Sequence, residues 1–194
     1  MIALLIRHAL VDAQDTLGRR PGVSLSEEGE AQARLLAERL ENRDIAVIFS
    51  SPLTRTLQTA QILAASRDIP VETEPCLNEI DFGDWDNRAI DSLKPLESWK
   101  SFNIFRSGAR CPGGEMMIEV QSRVVGLLER LTTSYGDATI AIVSHADVIR
   151  AAVCHYLGVP LDLSLRMQIS PASLTVLRLE NRGAELLKLN DVVE

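Results

Sequence analysis

Two stretches of the chain are apolar without interruption, Ile-Ala-Leu-Leu-Ile at 2–6 and Ile-Ala-Ile-Val at 140–143, and both are rich in β-branched residues. A run with no polar alternation fits a strand covered on both faces, as strands of parallel sheets are. Residues 44–49, with Ile45, Val47 and Ile48, form a third such segment, and 174–179 and 185–189 read as two late strands. Between them the period changes to that of a helix. In 26–41, Ala33, Leu36, Ala37 and Leu40 share one face and Ser26 stands where a cap is needed. The same period recurs over 52–66, 115–131 and 147–157, and Gly158-Val159-Pro160 is a stop signal for the last of these. Strands alternating with helices predict an α/β fold, a three-layer sandwich around a mostly parallel central sheet.

The length of 194 residues and an apolar content of 46% suit one domain over 1–194 with a sizeable core. Residues 82–114 break the pattern. They hold both tryptophans and several Gly and Pro, and they read either as a lid or insertion over a site or as a long surface loop. The net charge of −7 argues against nucleic acid as a partner, since phosphate-backbone affinity needs clustered cations. It also means that an anionic ligand must be drawn by a local basic pocket against the overall field. Three cysteines with no C-x-x-C pair favour a reducing compartment, and no apolar run is long enough to span a membrane. A cytoplasmic location follows as the expectation. The oligomeric state is left open, a homodimer included.

Two of the buried-strand candidates end in histidine: Leu4-Leu5-Ile6-Arg7-His8 and Ile142-Val143-Ser144-His145. Ligands of open α/β sheets bind at the carboxyl ends of strands, so these two side chains are placed to face one crevice. The third histidine, His155, falls inside the following helix and reads as a packing or surface residue. The 44–49 strand runs into Ser50-Ser51-Pro52-Leu53-Thr54-Arg55-Thr56, which puts Arg55 in the first turn of a helix. Helix N-termini attract anions, and Arg presents a fork of donors that matches phosphate oxygens.

These segments, together with Leu77-Asn78-Glu79-Ile80-Asp81-Phe82-Gly83-Asp84-Trp85 and Pro112-Gly113-Gly114-Glu115, occur in an order that resembles the histidine phosphatase (phosphoglycerate mutase-like) superfamily. The resemblance runs from the first strand to beyond Ile149-Arg150. It implies a phosphohistidine mechanism needing neither cofactor nor metal. His8 resembles the nucleophile, Arg7, Arg55 and His145 the residues that hold the phosphoryl oxygens, and Glu79 the acid that protonates the leaving alcohol. Phosphoryl transfer asks a protein mainly for positioning and for charge to meet the equatorial oxygens. Two Arg, a cationic or donor His and a helix N-terminus supply both. The attacking imidazole must be neutral, its tautomer fixed by a hydrogen bond at the other nitrogen, and flanking cations favour that state. Glu79 needs the reverse, a raised pKa from burial.

The chain departs from the family signature after Arg-His, where Ala9, Leu10, Val11 and Gln14 replace Gly, an acidic residue, Thr and Asn. Gln14 can replace the Asn amide, and Ala9 and Ala146 are tolerable where φ is negative. Altered substrate fit is the expectation. Gln14, Ala146 and the loop residues Arg19 and Arg20 are the candidate substrate contacts, and Ser170 or Ser173 a further one. The aromatic cluster Phe82, Trp85, Trp99, Phe102 and Phe105 suggests stacking on a flat leaving group. A phosphatase for a small phosphorylated metabolite is the reading that results, with a phosphoglycerate mutase and a non-catalytic phospho-ligand binder as alternatives.

Overall fold

The computed structural model describes residues 1–12, 16–65, 67–180 and 183–192. Gln14 lies outside the described residues. Six strands, β1 (Ile2–Arg7), β2 (Ile45–Ser50), β3 (Val71–Thr73), β4 (Thr139–Ser144), β5 (Leu174–Glu180) and β6 (Gly183–Asp191), form one sheet in the order β3-β2-β4-β1-β5-β6. β1 to β4 run parallel, while β5 lies antiparallel to β1 and β6 to β5. The sheet is therefore mostly parallel, as expected. Its helices are α1 (Glu27–Arg39), α2 (Thr54–Ala64), α3 (Ile90–Leu93), α4 (Glu97–Ile104), α5 (Met117–Tyr135) and α6 (Ala146–Leu157).

The uninterrupted apolar runs are explained by which face each residue covers. In β1, Ala3 and Leu5 join a core that includes Val120, Leu128 and Ile149 of α5 and α6. Leu4 and Ile6 point the other way, into a core with Leu36 of α1 and Leu63 of α2. Successive strand side chains alternate between faces, so a strand with helices on both sides has no face left for polar residues. The result is the three-layer sandwich.

Ser26 caps α1 by accepting from the Gly29 amide, and Gly158 ends α6 in the left-handed conformation at φ 65°. Residues 82–114 are more regular than their composition suggests, since they contain α3 and α4. The aromatic cluster packs chiefly on itself and on the core: Trp85 meets Trp99 and Phe102 edge-on, with ring centroids 5.3 and 5.6 Å apart. Only Phe82 of that group reaches the cavity described below, and Phe105 is exposed. Contrary to expectation, the cluster offers no aromatic platform for a flat leaving group, since Phe82 alone of its five rings lines the cavity. Large apolar rings next to a growing core bury one another before they line a polar cleft.

Candidate active site

The parallel ladder carries two histidines to the same edge of the sheet. The His8 amide donates to the Ser144 carbonyl (2.9 Å), continuing the β1–β4 pairing one residue past the strand. His145 follows Ser144 directly and occupies the N-cap position of α6. The two imidazoles stand 5.3 Å apart between centroids, His8 is 7% exposed and His145 is fully buried. From β2, the Ser51 amide donates to the Val143 carbonyl (3.0 Å), and α2 then brings in Arg55.

Arg55 joins the pieces. Its Nε donates to His8 Nε2 (3.3 Å), and its Nη2 lies 3.3 Å from His145 Nδ1. Its remaining donors are oriented by the Arg19 and Gly18 carbonyls at 3.1 and 3.3 Å. His8 Nδ1 sits 2.8 Å from the Ala9 carbonyl, which can only accept, so Nδ1 carries the proton and Nε2 presents its lone pair. At His145 the guanidinium can only donate, which makes Nδ1 the acceptor and Nε2 the donor to Ser51 Oγ (3.1 Å). Ser51 passes this on to Asn78 Oδ1 (3.1 Å). Arg7 donates to the Ile169 carbonyl (2.6 Å), and Ala9 N is held by Thr59 Oγ1 of α2 (3.1 Å).

Glu79 reaches the site on a braced loop. Ser144 Oγ donates to the Leu77 carbonyl (2.7 Å), and Arg123 of α5 donates to the Cys76 and Glu79 carbonyls at 2.5 and 3.3 Å. The Gly114 turn packs so closely on this loop that a Cβ there would lie 2.2 Å from the Asp81 carbonyl oxygen. Glu115, next in the chain, accepts from the Asp81 amide (2.8 Å). The Glu79 carboxyl accepts from the Ile80 amide (3.0 Å) and its Oε2 stands 3.8 Å from His145 Nδ1.

Burial sets the protonation of these groups. Desolvation, then Arg55 and Arg7, pull His8 down to about 3, so the ring is neutral at any ordinary pH. His145 is held well below its ordinary value, again first by burial and then by Arg55. Of the two states expected for it, cation or neutral donor, the structure has the neutral one, because a buried imidazolium beside a guanidinium pays both penalties. Glu79 is pushed up to about 7, first by burial and then by the nearby Asp147 carboxylate.

Arg7, His8, Arg55, Glu79, Ala146 and Arg20 all line one cavity of about 290 Å³. Arg19 does not. Its guanidinium donates to Asp81 Oδ2 (3.3 Å), Glu115 Oε2 (3.1 Å) and the Glu79 carbonyl (2.9 Å), so it braces the Glu79 loop from outside the cavity. Ser170 and Ser173 are not on the cavity wall either; Pro171 is. Ala9 and Ala146 avoid positive φ, so both departures from glycine are accommodated. Leu10 and Val11 face the cavity and make part of its wall apolar.

The wall also includes Asp147 and Arg150, which the motif reading passed over. A signal was present: both lie in the first helical turns after His145, where strand-end logic already pointed.

Paired strand-end histidines, two guanidinium groups and a protonatable carboxyl around a small cavity define a site built for a phosphoryl group. The chain belongs to the histidine phosphatase superfamily, branch 1, whose sequence profile matches residues 3–192. It is 34% identical over 192 residues to phosphoserine phosphatase 1 of Hydrogenobacter thermophilus, covering 96% of this chain and 90% of that one. It is also 34% identical over 175 residues to a probable phosphoglycerate mutase, GpmB, of Yersinia pestis, with coverage of 88% and 81%. Among solved structures, the α-ribazole phosphatase of Shigella flexneri superposes with a TM-score of 0.87 at 28% identity, over the full length of both chains. Among the described residues no helix is long and apolar enough to cross a membrane.

Proposed function

We propose that this protein is a phosphatase that hydrolyses a small phosphorylated metabolite through a phosphohistidine on His8. The observation that carries the reading is one cavity that brings together Arg7, Arg55, a His8 whose Nε2 is free of a proton, and Glu79, whose carboxyl pKa burial raises to about 7. Groups whose environments push their pKa values apart are the mark of assigned acid and base roles.

His8 Nε2 attacks phosphorus in line, forming the P–N bond as the P–O bond to the alcohol breaks. The Glu79 proton goes to the departing oxygen. Arg7 and Arg55 meet the charge on the equatorial oxygens, and His145, accepting from Arg55 Nη2, holds that guanidinium in place. In the second half, the Glu79 carboxylate takes a proton from water, the water oxygen attacks phosphorus, and the P–N bond breaks to return neutral His8 and inorganic phosphate. The cavity of about 290 Å³ favours small substrates, being at the lower end of ligand-pocket sizes. The three free thiols fit a cytoplasmic setting.

The test is hydrolysis of p-nitrophenyl phosphate by wild type and His8→Ala, with EDTA present, between pH 5 and 8. Turnover that survives chelation and drops on the order of a thousandfold or more in the variant is the expected result. Equal rates in the two proteins would rule out His8 as nucleophile, and tight phosphate binding without turnover would favour a binding protein. The 34% identity to a probable phosphoglycerate mutase supports a second reading. A requirement for a bisphosphoglycerate in turnover would select it.

A further inference from the structure

Beyond Arg7, His8 and Arg55, with His145 buried behind them, the cavity wall holds a second carboxyl. Asp147 lies in the first turn of α6, two residues after His145, and lines the cavity that Glu79 also lines. Each of its oxygens is taken by a guanidinium: Arg106 Nη2 stands 2.8 Å from Oδ2 and Arg150 Nη1 donates to Oδ1 at 3.0 Å. Arg150 is itself fixed by donating to the Met167 carbonyl (2.9 Å), and Arg106, 2% exposed, lies 4.7 Å over the Phe102 ring. The clamp fastens residues 82–114 to α6. Fastening alone does not require charge, because a buried ion cluster is often no more stable than apolar groups of the same shape. A fixed negative charge on this wall does, however, act on whatever else titrates there.

We infer that Asp147 is a positioning residue for the reaction: clamped between Arg106 and Arg150, it acts through Glu79 and sets the pH range over which that carboxyl can donate its proton. The inference rests on Glu79 being the acid of the proposed reaction. The charged and titratable groups that share the cavity with Glu79 are Arg7 from β1, His8 after it, Arg20 before α1, Arg55 from α2, and Asp147 and Arg150 from α6, with His145 Nδ1 3.8 Å from its carboxyl; of these Asp147, Arg55 and Arg7 bear on that carboxyl most strongly. Arg123 of α5 and Arg19 meet only its backbone carbonyl. Both histidines are neutral, so Asp147 is the one anion opposing Arg55 and Arg7 among the described residues. Asp147 itself is faced by Arg106, Arg150 and Arg7, by Glu79, and by the Cys111 thiol, which burial keeps neutral. Without the aspartate, two cations would favour ionised Glu79, and the acid would be spent at lower pH.

The experiment follows the Glu79 carboxyl by ¹³C NMR titration, alongside the pH dependence of kcat/KM for p-nitrophenyl phosphate, in wild type, Asp147→Asn, Asp147→Glu and Arg150→Gln. In Asp147→Asn the Glu79 midpoint falls by about half a pH unit to one unit, and the alkaline limb of the rate profile moves with it. Asp147→Glu restores both. Arg150→Gln, which removes one cation from the clamp, moves the midpoint upward. An unmoved midpoint in Asp147→Asn, or identical midpoints in the Asn and Glu variants, overturns the inference. If Asp147→Asn does not fold, Arg150→Gln decides: a midpoint that stays or falls overturns it. The NMR reading does not depend on turnover. A shifted Glu79 in a protein that hydrolyses nothing would overturn the phosphatase reading, and with it the catalytic role of Asp147, while leaving the coupling of the two carboxyls; an unshifted one in an active enzyme would overturn the role of Asp147 alone.

Discussion

His8 is nearly dry and uncharged at neutral pH, while Glu79, partly buried, keeps its proton on about half of the molecules there. For Glu79 the consequence for stability has an unusual sign. Its folded pKa, about 7, lies above the ordinary 4.5, so between those values the folded state binds more protons than the unfolded one, and stability falls as pH rises through the window. Replacing it with Gln removes that cost. Glu79→Gln is expected to gain more stability at pH 8 than at pH 5, by about 2 kcal/mol if the full shift is realised, while losing turnover. Urea denaturation at the two pH values measures the difference, and an equal change at both would show that Glu79 is not shifted. His8, Arg55 and His145 were legible in the sequence because strand ends and a helix start fix where they point, whereas Glu79, on a loop, was legible only through the resemblance of its motif. The Arg106–Asp147 pair was not, because its partners come from different elements and no local period links them. Arg19 was misplaced for the same reason: its partners, Asp81 and Glu115, are distant in the chain and outbid the cavity for its donors.

Helix α1 shows how an element far from the chemistry can grip it. Ser26 N donates to the Leu10 carbonyl (3.0 Å), the Gln32 side chain accepts from the Leu10 amide (3.2 Å), and Gly29 packs against the same backbone. A Cβ at Gly29 would lie 2.0 Å from the Leu10 carbonyl oxygen, two residues beyond His8. Helix propensity alone predicts that Gly29→Ala stabilises by about 1 kcal/mol. The clash with backbone predicts the opposite, a loss of about 1–3 kcal/mol, and a lower kcat/KM because the segment that must yield carries the nucleophile. Urea midpoints and p-nitrophenyl phosphate kinetics decide, and a gain in stability would show that the loop gives way freely. Periodicity found α1 and its Ser26 cap, yet it assigned Gly29 no purpose, since the reason for a glycine lies in what approaches it. β3, α3 and α4 escaped notice because three, four and eight residues hold too little of a pattern to stand out.

At the scale of the whole molecule, a chain of net charge −7 keeps a pocket lined by Arg7, Arg20, Arg55 and Arg150. Concentrating cations beside buried histidines leaves an acid-sensitive spot. His8 has its folded pKa depressed to about 3 from 6.5, so on acidification the unfolded chain takes up the proton first and stability is lost as pH falls below about 6.5. Between pH 7 and 4.5 that loss is about 2.5 kcal/mol. Glu79 works against it, since protonation over the same interval favours the folded state by about as much. The two nearly cancel, which leaves His145 to set the sign. It is fully buried and displaced in the same direction as His8, whereas His155 is exposed on the surface of α6. Wild type should therefore lose stability on going from pH 7 to 4.5. His145→Asn, whatever its absolute stability, should show a much flatter dependence over that range. Thermal melts at half-unit steps make the comparison. A variant as acid-sensitive as wild type would mean that the loss arises elsewhere in the fold, and that the cluster of guanidinium groups around the two histidines is not what limits the protein in acid.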